Sequence, residues 1–198
     1  LLGSLSNEPK ENPLMIRLRK FRETDVHPLL DAVRESCSEL IRWMAWCHED
    51  YGMEDARQWV ESRERAWIDQ VEFAFVMEDL HGRLLGTCGL NRLDLLNRTA
   101  NLGYWVRTSE TKKGVATQAV NQLIEMTFAI TQLNRLELLV STRNLPSQRV
   151  AAKVGALREA HLRDRLICQG QFHDAYLYSV LRADRGQSEP KSESAGFK

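Results

Sequence analysis

Apolar and polar residues alternate with one period for a few positions and then switch to another, and the switches divide the chain into elements. Met15-Ile16-Arg17-Leu18-Arg19 alternates at period two, as a half-buried strand does. Thr24-Asp25 then has the chemistry of a helix start, a hydroxyl to cap and an acid in the first turn. Val26, Leu29, Leu30, Val33 and Cys37 follow at helical spacing. Pro28 is tolerated there because first-turn amides lack an intrahelical acceptor. Residues 54–69 predict a second amphipathic helix, with Ala56, Trp59, Val60 and Trp67 on one side and arginines and glutamates on the other.

Segments 71–77, 84–90 and 99–106 read as three strands of a meander, the first two joined by the turn Glu78-Asp79-Leu80-His81-Gly82. A long helix over 114–130 carries Ala116, Ala119, Val120, Leu123, Ile124 and Phe128 on its apolar face. A short buried strand at 136–140, a short helix at 147–154 and two strands near 156–163 and 172–182 complete the pattern. The predicted order, β-α-α-β-β-β-α-β-α-β-β, is an α/β fold with a largely antiparallel sheet. Segments 1–13 and 184–198 are polar, with Gly, Ser and Pro, and are expected to be disordered tails around a single domain at 14–183.

Composition narrows the function classes. The 198 residues are 43% apolar and 27% charged, the balance of one soluble globular domain. The 27 basic and 27 acidic side chains cancel, which argues against a large electrostatic footprint for nucleic acid. No run approaches the ~18 apolar residues of a membrane span, so a cytoplasmic protein is expected. Cys37, Cys47, Cys88 and Cys168 form no C-x-x-C pair, and the five histidines have no partner at metal-ligand spacing. Reduced thiols and no metal site are expected.

The stretch that carries chemistry runs Gly103-Tyr-Trp-Val-Arg-Thr-Ser-Glu-Thr-Lys-Lys-Gly114-Val-Ala-Thr117, strand into loop into helix. A helix N-terminus presents unpaired amides and the positive end of its dipole, which suits a phosphate. Gly114 lets that backbone approach closely, Lys112 and Lys113 add charge, and Thr117 adds a hydroxyl. The same residues also fit a solvated strand–helix loop. Neither G-x-x-x-x-G-K-[ST] nor G-x-G-x-x-G is present. A second piece, Asn144-Leu-Pro-Ser147-Gln-Arg149-Val-Ala-Ala-Lys153-Val-Gly155-Ala, follows a buried strand and opens a short helix.

Strand, K-G-x-A-T loop, long helix, strand, then N-x-x-S-x-R-V-A-x-K-x-G-A resembles the Gcn5-related N-acetyltransferase superfamily. Within it, the chain resembles the branch that acetylates the N-termini of ribosomal proteins, especially the type acting on L7/L12. Leu40-Ile-Arg-Trp43-Met-Ala-Trp46, Asn97-Arg-Thr-Ala-Asn-Leu-Gly-Tyr-Trp105 and His173-Asp-Ala-Tyr176 support the resemblance, which covers roughly 14–182.

The resemblance implies acetyl-CoA as cosubstrate, helices on both faces of the sheet, and two splayed central strands with pantetheine laid between them. It places the backbone of Trp105 and Val106 on pantetheine and the amides of Lys112, Lys113, Gly114, Val115, Ala116 and Thr117 on the pyrophosphate. Asn144 would contact the pantetheine side, and Arg149 or Lys153 would neutralise adenosine phosphates. Two departures stand out. The family loop usually reads Q/R-G-x-G-x-A, whereas Thr111 and Lys112 hold its first two positions. Many relatives place a tyrosine acid where this chain has Ala151, but the serine used by the ribosomal-protein branch matches Ser147.

Amide formation from a thioester needs a neutral amine, a stabilised oxyanion and a proton for the leaving thiolate. The backbone amide near Val106 would hold the oxyanion, and Ser147 would serve the sulfur. Ser147 also fits a plain hydroxyl at a helix start. An α-amine with a pKa of ~8 is roughly a tenth neutral at pH 7, against under a thousandth for lysine at ~10.4, so N-terminal substrates need little help from a base. Glu137, Asp164 and Asp174 are the nearest candidate bases and fit surface charges better. Trp43 and Trp46 wall the acceptor site on one reading and pack an amphipathic turn on the other.

The leading expectation is acetyl transfer to a protein N-terminal amine, with no metal, no nucleic acid and no membrane partner. A small amine, such as a polyamine, antibiotic or amino-acid derivative, is the alternative acceptor, because acceptor choice lives in variable loops. A non-catalytic CoA-binding module also fits, and a nucleotide-binding protein fits poorly. The branch resemblance implies a homodimer.

Overall fold

The sheet is the frame on which everything else is placed, and the computed structural model describes it within residues 15–186. The segment 1–13 expected as a tail lies outside the described residues, as does all but the first three residues of 184–198.

Seven strands lie in the order β1-β2-β3-β4-β5-β7-β6. They are β1 (Ile16–Lys20), β2 (Phe73–Asp79), β3 (Leu84–Asp94), β4 (Thr99–Val106), β5 (Arg135–Ser141), β6 (Leu157–Cys168) and β7 (Gln171–Leu181). Every neighbouring pair is antiparallel except β4–β5, which is parallel. A parallel pair needs a long crossover, and the helix α3 (Val115–Ile130) supplies it. The helices α1 (Val26–Leu40), α2 (Met53–Ile68) and α4 (Leu145–Lys153) complete the order that periodicity predicts.

Strand alternation gives the sheet two apolar faces. Val115, Ala119, Val120, Leu123, Ile124 and Phe128 of α3 pack with Leu102, Leu136 and Leu138, all buried. On the other face Leu29, Leu30, Val33, Ala56 and Val60 of α1 and α2 pack with Val76, Leu84 and Trp105. Each fully buried large side chain contributes about 1.5–3 kcal/mol. Where β3 meets β4 the backbones come too close for a side chain: a Cβ on Gly86 would lie 2.3 Å from the Trp105 carbonyl oxygen.

Element ends differ from the sequence expectation where a tertiary partner takes over. Thr24 does not cap α1. A short turn at Glu23–Asp25 precedes the helix, and the buried Asp25 carboxylate accepts the Arg22 amide at 2.7 Å and the Arg19 guanidinium at 2.7 and 2.8 Å. Asp184 and Arg185, expected in the tail, are tied down instead. Asp184 accepts the Leu181 amide at 2.8 Å, and Arg185 donates to the Val154 carbonyl at 2.5 Å. The neighbouring Arg182 is buried and donates to the carbonyls of Phe128, Thr131 and Leu133, which closes the negative end of α3.

Candidate active site

The site begins where β4 and β5 part. They pair only at Thr99↔Arg135, Ala100↔Leu136 and Asn101↔Glu137. Beyond those residues each strand stays with its outer neighbour: β4 with β3 to Val106↔Gly86, and β5 with β7 to Ser141↔Ala175. A wedge opens between them. A cavity of about 760 Å³ includes Leu102, Gly103, Tyr104 and Trp105 on one side of it and Leu138, Leu139, Val140 and Ser141 on the other.

Alternation decides which backbone groups face the wedge. The Arg107 amide donates to the Leu85 carbonyl at 2.7 Å, and the Trp105 carbonyl lies against Gly86, so odd-numbered β4 residues turn their backbone toward β3. Tyr104 and Val106 therefore turn theirs toward the wedge. Trp105, expected to offer its backbone, instead packs its ring with the α1–α2 core.

After β5 the chain turns into α4, and Gln148 holds the turn by donating to the Ser141 carbonyl at 3.3 Å and the Thr142 carbonyl at 2.9 Å. Asn144 is the N-cap, its side-chain oxygen accepting the Ser147 amide at 3.1 Å, with a proline in the first turn. That cap places Ser147 at the wedge, where its hydroxyl lies 2.9 Å from the Tyr104 hydroxyl. Asn144, Ser147 and Tyr104 all line the cavity. Burial pushes the Tyr104 phenol up to about 12, against a small opposing effect of the Ser147 hydrogen bond. Tyr104 therefore keeps its proton at neutral pH.

Tyr104 is the site residue that sequence reasoning missed. Its partner lies 43 positions away, and the only signal was its place beside Trp105 in the Asn97–Trp105 stretch. The tyrosine position occupied by Ala151 is fully buried in α4.

The start of α3 lies past the end of β4 and outside this cavity. Its N-cap is Gly114, in the left-handed region at φ 86°, and no side chain caps it. Lys112 also adopts a positive φ, 64°, at a position where the family usually has glycine. The loop keeps a left-handed bend without the first glycine, at about 1–2 kcal/mol of strain. Lys113 donates at 3.1 Å to Glu110, which also takes Arg83 at 2.6 Å. Burial would raise the Glu110 carboxyl, yet its hydrogen bonds to Lys113 and Arg83 hold it below the usual range. Lys112 is exposed and has no acidic partner among the described residues. Val115 is buried, and Ala116 and Thr117 are half-buried.

Arg149 and Lys153 are exposed on α4 and do not line the cavity. Trp43 and Trp46 do line it, at the end closed by α1 and α2. Trp46 packs its ring 6.2 Å from Trp105 and 5.9 Å from Tyr51. The carboxylates lining the cavity are Asp55 and Glu72, and Arg63 neutralises Glu72 at 2.7 Å. The three candidate bases lie elsewhere. Glu137 accepts Arg135 at 2.7 Å, while Asp174 accepts the Asp164 amide at 3.0 Å and His161 at 2.9 Å. None of them lines the cavity.

Among the described residues no helix is long and apolar enough to cross a membrane, and no group of three or more His, Cys, Asp or Glu side chains could hold a metal ion.

Comparison with known proteins agrees with this geometry. YdaF of Bacillus subtilis (strain 168), which carries the provisional name of a ribosomal N-acetyltransferase, is 27% identical over 172 residues, 85% of this chain and 92% of its own. The ribosomal-protein-serine acetyltransferase of Escherichia coli (strain K12) is 26% identical over 170 residues, 84% of this chain and 92% of its own. The structure of Mycobacterium smegmatis RimJ in complex with CoA-disulfide superposes with a TM-score of 0.81 at 26% identity, covering 87% of this chain and 85% of that one. Residues 15–157 match the acetyltransferase (GNAT) domain, and the chain is an N-acetyltransferase of that family.

Proposed function

We propose that the protein binds acetyl-CoA in the wedge between β4 and β5 and transfers the acetyl group to the N-terminal α-amine of a protein, a ribosomal protein in the first instance. The observation that carries the chemical half is the Ser147–Tyr104 pair at 2.9 Å in that wedge. The acceptor half is supported by the E. coli and B. subtilis relatives, which carry ribosomal-protein names.

The residues fit the cosubstrate. A pantetheine arm is an extended chain of amides, and it pairs with the wedge-facing backbone of Tyr104 and Val106 as an added strand would. The uncapped amides of Val115, Ala116 and Thr117 donate to the pyrophosphate oxygens. Lys112 adds a positive charge at the loop, and Arg149 and Lys153 lie on the exposed face of α4 for the adenosine end.

The reaction then needs few groups. The amine nitrogen attacks the thioester carbon, and the carbonyl oxygen gathers charge at the Val106 amide. As the tetrahedral intermediate collapses, the C–S bond breaks and the Ser147 hydroxyl donates to the sulfur. Tyr104 donates to Ser147 in turn and fixes its direction. The proton lost by the amine ends on the thiol. Asp55, which faces only His48 at 3.7 Å among the cationic side chains, holds the incoming ammonium form at the tryptophan-lined end, and that ammonium gives one proton to solvent before the neutral amine attacks.

Acetyl-CoA turnover assayed against ribosomal-protein N-terminal peptides, polyamines and amino sugars tests the proposal. The peptides are expected to be acetylated at the α-amine. Activity confined to small amines overturns the protein acceptor and leaves the transfer chemistry standing.

A further inference from the structure

The tryptophan-lined end of the cavity is held by a segment with a thiol at each end. Cys37 lies in the last turns of α1, and Cys47 lies in the irregular turns that lead to α2. Their sulfur atoms are 3.8 Å apart. Cys47 is buried, and Cys37 is half-buried and open to a small reagent. The Cys47 S–H points at the Cys37 sulfur, and the Cys37 S–H points at the His48 carbonyl at 3.4 Å. Between the two cysteines lie Trp43, Met44 and Trp46, all three on the cavity wall.

We propose that Cys37 and Cys47 are a thiol–disulfide modification site, oxidised to an intramolecular disulfide that reshapes the acceptor end of the cavity. The acceptor consequence rests on the acetyl-transfer reading above; the disulfide itself does not.

A disulfide needs the sulfurs about 2.05 Å apart, so they must close by less than 2 Å, a shift shared between the two side chains and the irregular backbone that carries Cys47. The difference in burial also sets the order of events. Cys37 is the half-buried thiol and meets the reagent first, whereas Cys47 is buried, and burial, chiefly, pushes its thiol up to about 12. The Cys37 thiolate attacks a small disulfide, R–S–S–R, forming Cys37–S–S–R and releasing one R–S⁻. Cys47 then gives its proton to solvent, attacks the Cys37 sulfur and expels the second R–S⁻. Two protein thiols are oxidised and one small disulfide is reduced to two thiols. Cys88 and Cys168 are each only 3% exposed and do not compete for the reagent.

Closing the bond draws Cys47 toward α1 and carries Trp46, one residue away, off its packing with Trp105 and Tyr51. The acceptor KM is expected to rise about tenfold, equivalent to about 1.4 kcal/mol of binding. The acetyl-CoA Kd is expected to stay unchanged, because the wedge and the α3 start lie on other elements.

The test is incubation of the full chain with oxidised glutathione, alkylation of remaining thiols, and peptide mapping by mass spectrometry. The expected product is a linked Cys37–Cys47 peptide, lighter by two hydrogens (about 2 Da) and restored by dithiothreitol. Tryptophan emission should shift with the bond and should not shift in Cys37→Ser or Cys47→Ala. Recovery of both cysteines alkylated, or of Cys37 carrying glutathione with Cys47 free, overturns the proposal. A bridge that forms with emission and acceptor KM unchanged overturns the coupling to the cavity. Mapping and emission need no turnover, so failure of the acetyl-transfer reading would be seen separately.

Discussion

Two helices begin beside the wedge, each after one of the parted strands, and their first turns are built in opposite ways. At α4 the amides are occupied: the Asn144 side chain accepts from Ser147, and a proline removes another donor. At α3 they are left open, with a left-handed glycine as N-cap and no side-chain acceptor. A helix start can hold an anion only where its donors are unspent. The spent one serves a different purpose, fixing the direction of one hydroxyl. Local capping thus assigns the two ends different work, anion binding at α3 and sulfur chemistry at α4.

The comparison breaks most visibly at Ser147. Ser147→Ala keeps the Asn144 cap, since the bond uses the backbone amide, and removes only the hydroxyl. Turnover is expected to fall ~100-fold, the low end for loss of a proton-handling group, with the acetyl-CoA Kd unchanged. Steady-state kinetics with calorimetry separates the two quantities, and weakened CoA binding would show that Ser147 belongs to the cofactor site instead. Gly114→Val is the mirror experiment. A branched residue does not hold φ 86°, so the α3 amides turn away, and acetyl-CoA affinity should fall about tenfold (about 1.4 kcal/mol). An unchanged Kd would remove the α3 start from the phosphate site.

Tyr104→Phe sharpens the α4 side. It deletes the donor to Ser147 while keeping the ring, so turnover is expected to drop about fivefold, the equivalent of one hydrogen bond of ~1 kcal/mol. The loss should be constant from pH 6 to 9, because a phenol pushed up to about 12 does not ionise in that range. A loss that grew with pH would mean that Tyr104 titrates.

Acid tests the ion pair under the α3 loop and one at the far edge of the sheet, between β1 and β2. Glu110 below the α3 loop and Glu78 on β2 are buried; burial would raise both carboxyls, yet their hydrogen-bonded cationic partners hold them below the ordinary range. A depressed folded pKa stabilises above the unfolded value of about 4.3 and is lost as pH falls through the folded value. Denaturant midpoints should therefore be flat from pH 7 to 5 and fall below about pH 4.3. The smallest effect is expected at Lys112. Lys112→Gly relieves the left-handed strain at φ 64° and should stabilise the fold by about 0.5–1 kcal/mol, checked by thermal unfolding.

The order of elements, their types and the apolar faces of α1, α2 and α3 were legible in the sequence, because each rests on local periodicity. The short helix after β5 was legible too, but its start was not: it begins at Leu145, two residues before the expected Ser147, because Asn144 caps it through the Ser147 amide. Boundaries were less legible. The strand expected near 156–163 runs on to Cys168, extended by its hairpin with β7. Thr24 lost its capping role to Asp25 because a carboxylate there takes both the Arg19 guanidinium and the Arg22 backbone amide.

What only the tertiary structure decided is who meets whom across the sheet. Trp105 and Val106 are adjacent in the sequence, yet only one turns its backbone to the wedge, and strand alternation settles which. Glu137, Asp164 and Asp174 looked alike as candidate bases, and register put all three into ion pairs or turns outside the cavity. Tyr104 and Ser147 come together from 43 positions apart because β4 and β5 separate after three paired residues. Periodicity and capping act over a few residues and are written where they act. Register and strand separation are set by the packing of the whole sheet.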